Sequence, residues 1–285
     1  MIYFELPDST TNRPINIRLC SLLKTHSDLF YPNVAVEAVF GCPPFCIWNG
    51  GCIHLPGEQM SLDHIEDLFT SYNSIGIPYR LTFTNRLLEH KHLYDTYGNA
   101  IASLGNVKGN SVIVSSDLME KYISERYEQY SIIQSICRVY ETQEDLDKAL
   151  EKNLVCLPVK FNRDWNYLGQ MSNPGNAIIL VNEYCPVSEC DSCKEHYESF
   201  NRLSLYIEKD HMKCKYGSLR HEMDQAGTFP PHHVFPKDYG RFESMGISHF
   251  KINGRASTTQ QIATLYCRYF AKPEHFDTVF ALLLG

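Results

Sequence analysis

The chain has 285 residues, 44% of them hydrophobic, and a formal net charge of −7. That is enough apolar material for one substantial core, and the acidic balance (pI about 5.9) argues against broad nucleic-acid binding, leaving only a local basic patch for that role. No run of 18 apolar residues is present and the first residues lack a signal-peptide layout, so no membrane segment and a cytoplasmic location are expected.

Short apolar runs alternate with helical patterns along the chain. Residues 34–41 read as a strand. Ser61 then caps a helix with acids in its first turn and apolar residues at helical spacing. Residues 79–85 and 111–115 are the next strands, and Ser116 with Asp117 opens another helix. A strand over 131–136 precedes a capping-box-like start at Thr142. Residues 154–159 form a strand before a short helix from Asn162, Arg163 and Asp164, and 177–182 form another. The last unit is a strand over 247–252 and a helix over about 257–270.

Strand alternating with helix predicts parallel pairing with right-handed crossovers. Seven strands are clear, and the eighth is sought within 203–236, at 203–206 or 233–235. No Gly-x-Gly-x-x-Gly turn comes after the first strand, which weighs against a dinucleotide-binding sheet. The expected fold is therefore α/β, a single (β/α)8-like TIM barrel over 1–285, irregular around 203–236.

In such a barrel the active face is where strands end. The strand ends here are polar or rich in cysteine. Eleven cysteines are many for a chain without a secretory layout, so clustered ones read as metal ligands rather than disulfides. Cys185, Cys190 and Cys193 fall within nine residues. A fourth ligand is then needed: His196 would complete a zinc site, and Cys42 or Cys46, from the loop after the first strand, would complete an iron–sulfur site. Cys20, Cys137, Cys156 and Cys267 lie in apolar patterns and read as small buried hydrophobes.

Substrate-binding candidates are Trp48, Asn49, Arg80, Asn85, Lys160, Asn162, Arg163, Asn182, Glu183, Lys251 and Arg255. The basic members would give the rim a cationic character suited to a small organic or anionic substrate, and Arg80, Lys160, Arg163 and Arg255 are expected to converge on one cavity. Glu37 and Glu183 lie in or just beyond apolar strands, where a carboxylate needs a partner. They are the catalytic candidates, and pairing with a nearby base is expected.

The segment 235–255 runs Phe235, Pro236, Lys237, Asp238, Tyr239 and Gly240 into Gly246, Ile247 and the strand end Phe250, Lys251, Ile252, Asn253, Gly254, Arg255. With Tyr266 and Tyr269 in the closing helix, it resembles the collagenase-like peptidase family, Asn253 standing where the family has Glu. The resemblance implies a barrel. It also implies kinship with iron–sulfur proteins for oxygen-independent hydroxylation of nucleobases or the ubiquinone ring. One branch holds its cluster with a cysteine near the first strand and three in a later loop, which Cys42 or Cys46 with Cys185, Cys190 and Cys193 is similar to. A [4Fe-4S] cluster, a partner subunit or an electron donor would be implied as well. The alternatives are a zinc-containing peptidase-like hydrolase and a non-catalytic partner protein with a structural metal.

Overall fold

The structure is a computed structural model. It describes residues 1–285 except 51–58, 184, 186–190, 211, 213, 215–222, 224–225 and 255–256, and the side chains of 191–193.

Eight parallel strands close in sequence order into one barrel. The chain begins with β1 (Ile2–Leu6) and α1 (Arg13–Thr25), followed by β2 (Val34–Gly41). Next come α2 (Leu62–Asn73), β3 (Tyr79–Phe83), α3 (Thr96–Leu104), β4 (Ser111–Val114) and α4 (Asp117–Arg126). The second half holds β5 (Ser131–Gln134), α5 (Gln143–Lys152), β6 (Leu154–Cys156), α6 (Trp165–Gln170), β7 (Ala177–Leu180) and α7 (Asp191–Ser204). It ends with α8 (Tyr239–Ser244), β8 (His249–Lys251), α9 (Thr259–Phe270) and α10 (Phe276–Leu284). No helix among the described residues is long and apolar enough to cross a membrane.

The helix starts are set by their caps. Ser61 Oγ accepts from the His64 amide, Ser116 Oγ from Met119, and Thr142 forms a capping box with Asp145. The short helix after β6 starts later than Asn162: Asp164 is its cap, accepting from the Tyr167 amide at 3.1 Å.

The eighth strand comes from the N-terminus, not from 203–236. β1 pairs with β2 on one side and with β8 on the other, aligning Glu5 with Lys251. Of the two segments expected to supply it, 203–206 runs through the end of α7, while 233–235 makes a single ladder-like contact, Val234 N–H donating to Val181 O at 2.9 Å. β1 escapes an apolar-run reading because its fourth residue is Glu5, fully buried and inside the barrel.

Alternate strand residues face outward under the helices or inward to the barrel axis. The outward set forms the main core, with Phe4 packed on Phe270 at 4.7 Å and Phe69 on Tyr79 at 4.8 Å. The interior is divided. From β4 to β7 it is filled by Ile113, Ile133, Cys156, Ile178 and Leu180. From β8 round to β3 it carries Glu5, Glu37, Arg80, His249 and Lys251, which neutralise one another. Charges in a barrel core are tolerable only in such mutual pairing.

Candidate active site at the barrel mouth

Arg80 is the second residue of β3, and its side chain lies in the barrel interior, only 5% exposed, bonded to Glu5 and to Glu37 (2.5 Å). The sequence places it on the rim because a strand-borne arginine is easily assigned to a strand end. The strand begins at Tyr79, as expected, so Arg80 stands near its start and not at its C-terminal end. Lys251 is likewise inside, with Nζ 2.8 Å from Glu5 Oε2 and 3.5 Å from the centre of the Phe40 ring. Glu37 has the expected basic partners, Arg80 and His249 Nδ1 at 2.8 Å. Burial alone would raise the Glu37 carboxyl, but the His249 hydrogen bond and the two cationic neighbours outweigh it, leaving it below the ordinary carboxylate range.

Of the four basic residues expected to share one cavity, the three described ones each have different neighbours. Arg80 is tied to the interior acids, and Arg163 binds Asp238 at 3.2 Å and the His233 carbonyl at 3.2 Å. The Lys160 ammonium lies 5.1 Å from the Phe161 ring centre, and Arg255 lies outside the described residues.

On the β2–β3 side of the mouth the expected contact residues build walls. Trp48 is fully buried, its ring edge-on to Phe83 at 5.0 Å and its Nε1 donating to His92 O at 2.8 Å. Asn85 is fully buried too, donating to Ile47 O at 2.9 Å and Asn201 O at 3.2 Å. Asn201 on α7 answers by accepting from the Arg86 amide at 2.6 Å and donating to Gly50 O at 3.2 Å. Gly50 is obligatory in this clasp, since a Cβ there would lie 2.5 Å from the Asn85 Cα. Asn49 is 3% exposed and accepts from Thr82 Oγ1 at 3.5 Å. Asn201 is a residue that sequence reasoning misses; a polar side chain on the buried face of a helix was its only signal.

The ends of β6, β7 and β8 bring a different group together. Asn182, fully buried, donates to Asn253 O and accepts from Asn253 N, both at 2.6 Å, and so ties the two strand ends. Next to it, Glu183 accepts from the Cys185 amide at 3.0 Å and from Asn253 Nδ2 at 3.5 Å. Asn162 donates to Leu180 O at 2.7 Å and to His232 O at 3.3 Å. The His232 ring donates to the backbone of Glu183, and burial holds its pKa below the ordinary histidine value despite the Glu183 charge. Asn162 Oδ1 and His232 Nε2 are buried with no hydrogen-bond partner among the described residues. Buried polar atoms without a partner are unusual in a settled core, and two on neighbouring residues mark a place where a donor belongs. His232 and Asn253 do not stand out for this role in the sequence, because their contacts join segments far apart in the chain.

The cysteines divide in the same way. Cys42 and Cys46 are 6% and 0% exposed and belong to the outer apolar core, both close to Tyr97. Cys185 stands at the mouth beside Glu183, half-buried. Cys190 and the side chain of Cys193 lie outside the described residues. His196 on α7 donates from Nδ1 to Met212 O at 2.5 Å. No group of three metal-binding side chains is assembled among the described residues. Cys20, Cys156 and Cys267 are buried as expected, and burial pushes each thiol up to about 12; Cys137 is only half-buried.

No family model matches the chain, and no curated protein matches it. Among solved structures it is similar to the U32 peptidase Mk0906, with a TM-score of 0.55 at 12% identity, over 90% of this chain and 94% of that one. The neighbour belongs to the collagenase-like peptidases, and at this identity the shared property is the barrel itself, at a distant level; the iron–sulfur hydroxylation branch gains nothing from it.

Proposed function

We propose that the protein is an enzyme that binds a polar organic substrate at the C-terminal mouth of the barrel and moves a proton with Glu183. The observation behind this is the meeting of Glu183, His232 and Asn162 at the ends of β6 and β7, with two buried acceptors, Asn162 Oδ1 and His232 Nε2, lacking donors among the described residues. A substrate bearing N–H or O–H groups satisfies both acceptors, and the adjacent carboxylate is within reach of the same groups. The location is the one where barrels of this kind carry their chemistry. Amide hydrolysis is the reaction class that suits a carboxylate beside a neutral imidazole, and the peptidase neighbour supports including it in the test.

The test uses a defined panel of dipeptides, hydroxy acids and nucleosides, with binding monitored by saturation-transfer NMR. Compounds bound by the wild type should be lost by Asn162→Leu and weakened in Glu183→Gln, with melting temperatures unchanged to within a few degrees. Binding that survives both substitutions places the site elsewhere.

A second reading rests on Cys185 and His196. Cys185 is followed in the sequence by Cys190 and Cys193, and His196 on α7 comes three residues later, a spacing that suits one metal centre. Zinc held by these four residues would be structural. An iron–sulfur cluster on the three thiolates would instead supply electrons to the mouth. Metal and sulfide analysis of anaerobically purified protein separates the two: zinc lost in His196→Gln supports the first, iron with sulfide lost in Cys185→Ser supports the second, and neither metal removes both.

A further inference from the structure

A second cavity lies on the same face, away from Glu183, where the loop after β2 meets the start of α3 and the turn beyond α7. Its volume is about 240 Å³, and it is lined by Phe45, Ile47, Gln59, Asp95, Tyr97 and Tyr206. That is too small for a drug-sized ligand and large enough for one compact head group.

Two of the three aromatic residues have an unusual backbone. Phe45 has φ of 63° and Tyr206 of 59°, and Asp8 is the only other non-glycine residue with positive φ among those described. Bulky side chains avoid this left-handed region, so their surroundings must hold them there, and such residues gather at binding sites. The outcome for Tyr206 is a ring left 67% exposed above the cavity. Tyr97 is anchored through its hydroxyl, which donates to Met60 O at 3.1 Å. Tyr97 and Tyr206 both lie close to Cys46, and Tyr206 also feels the charge of Asp95, so the two rings and the carboxylate face one space. The Asp95 carboxylate is fixed by capping α3, with Oδ1 accepting from the Gly98 amide at 2.6 Å. Among the described residues, no lysine, arginine or histidine lines the cavity.

We propose that this cavity is an aromatic cage for an alkylammonium cation. Three aromatic side chains line the cavity and can offer their π-electron faces to a cation, one carboxylate supplies the opposite charge, and the size admits a methylated head group. The site is independent of the Glu183 chemistry, and either can fail alone.

The test is isothermal titration of the full chain with choline, with a trimethyllysine-containing peptide, and with 3,3-dimethylbutan-1-ol, which has the shape of choline without its charge. Saturable binding of choline or of the peptide is expected, with the alcohol about tenfold weaker or more. The tighter of the two cations identifies the source, a free amine or a methylated protein. Asp95→Asn keeps a capping oxygen for Gly98, and Tyr206→Ala removes an exposed ring, so both should fold as the wild type does. Each should weaken cation binding by about fivefold or more, while Tyr206→Phe should not. Equal binding of choline and the alcohol, no saturable binding of either cation, or unchanged affinity in both variants overturns the proposal.

Discussion

Replacing Arg80 by Met separates an interior role from a rim role. The guanidinium bonds Glu5, whose side chain is fully buried, and Glu37, whose side chain is 20% exposed. Met fills similar volume without charge. Glu5 keeps Lys251 and Glu37 keeps His249, each at 2.8 Å. Removing one partner of a buried charge pair costs about 3–5 kcal/mol, and the surviving cations favour the lower end. An unfolding entropy of about 2 cal/mol/K per residue over 285 residues makes roughly 0.6 kcal/mol/K, so about 3 kcal/mol lowers Tm by about 5 °C. The assay is urea unfolding monitored by tryptophan fluorescence, Trp48 being fully buried. Adding Glu37→Gln to Arg80→Met should recover about 1 kcal/mol, because it removes one of the stranded charges. A loss below about 1 kcal/mol in the single variant, with ligand binding weakened instead, refutes the interior role.

Gly98→Ala should destabilise by about 1–3 kcal/mol and shift Trp48 emission, since the new Cβ would lie 2.8 Å from the indole ring. Asn182→Ala, which unties β7 from β8, should cost about 1–3 kcal/mol in the same unfolding assay. Acidification should destabilise the protein: burial holds His233 down to about 3 against an ordinary 6.5, so the unfolded chain binds the proton first and stability falls as pH drops below 6.5. His233→Phe, placed among Phe229, Phe235 and Tyr269, should flatten that fall in a pH series of melting curves. The depressed Glu37 carboxyl adds a further loss below its ordinary 4.5. Cys42→Ala and Cys46→Ala should each lose ~1 kcal/mol of packing and leave metal content unchanged.

The barrel was legible because its strands are mostly apolar runs with helix caps between them. Residues 34–41 match β2 end to end. The other six strands are right in place and overlong, since residues such as Asn85, Val159 and Asn182 continue the apolar or extended pattern after the ladder has stopped. β1 was invisible because Glu5 breaks its pattern, and only Lys251 and Arg80, remote in sequence, make that carboxylate tolerable. The same pairing explains why two bases sought at the rim lie inside. At the mouth, Asn162, Asn182 and Glu183 stand within a few residues of the ends of apolar strands, and that position alone marks them. Asn201, His232 and Asn253 carry no such mark, because their roles depend on contacts across 70 residues or more.

The central claim is that Glu183 acts at the mouth beside His232 and Asn162. Its most direct test is kcat/KM of the wild type and of Glu183→Gln on a panel compound that the wild type consumes, both proteins purified anaerobically and matched in metal content. Loss of a positioned acid–base group predicts a fall of about 10²–10⁴-fold with the fold intact. A fall of less than about tenfold contradicts the account.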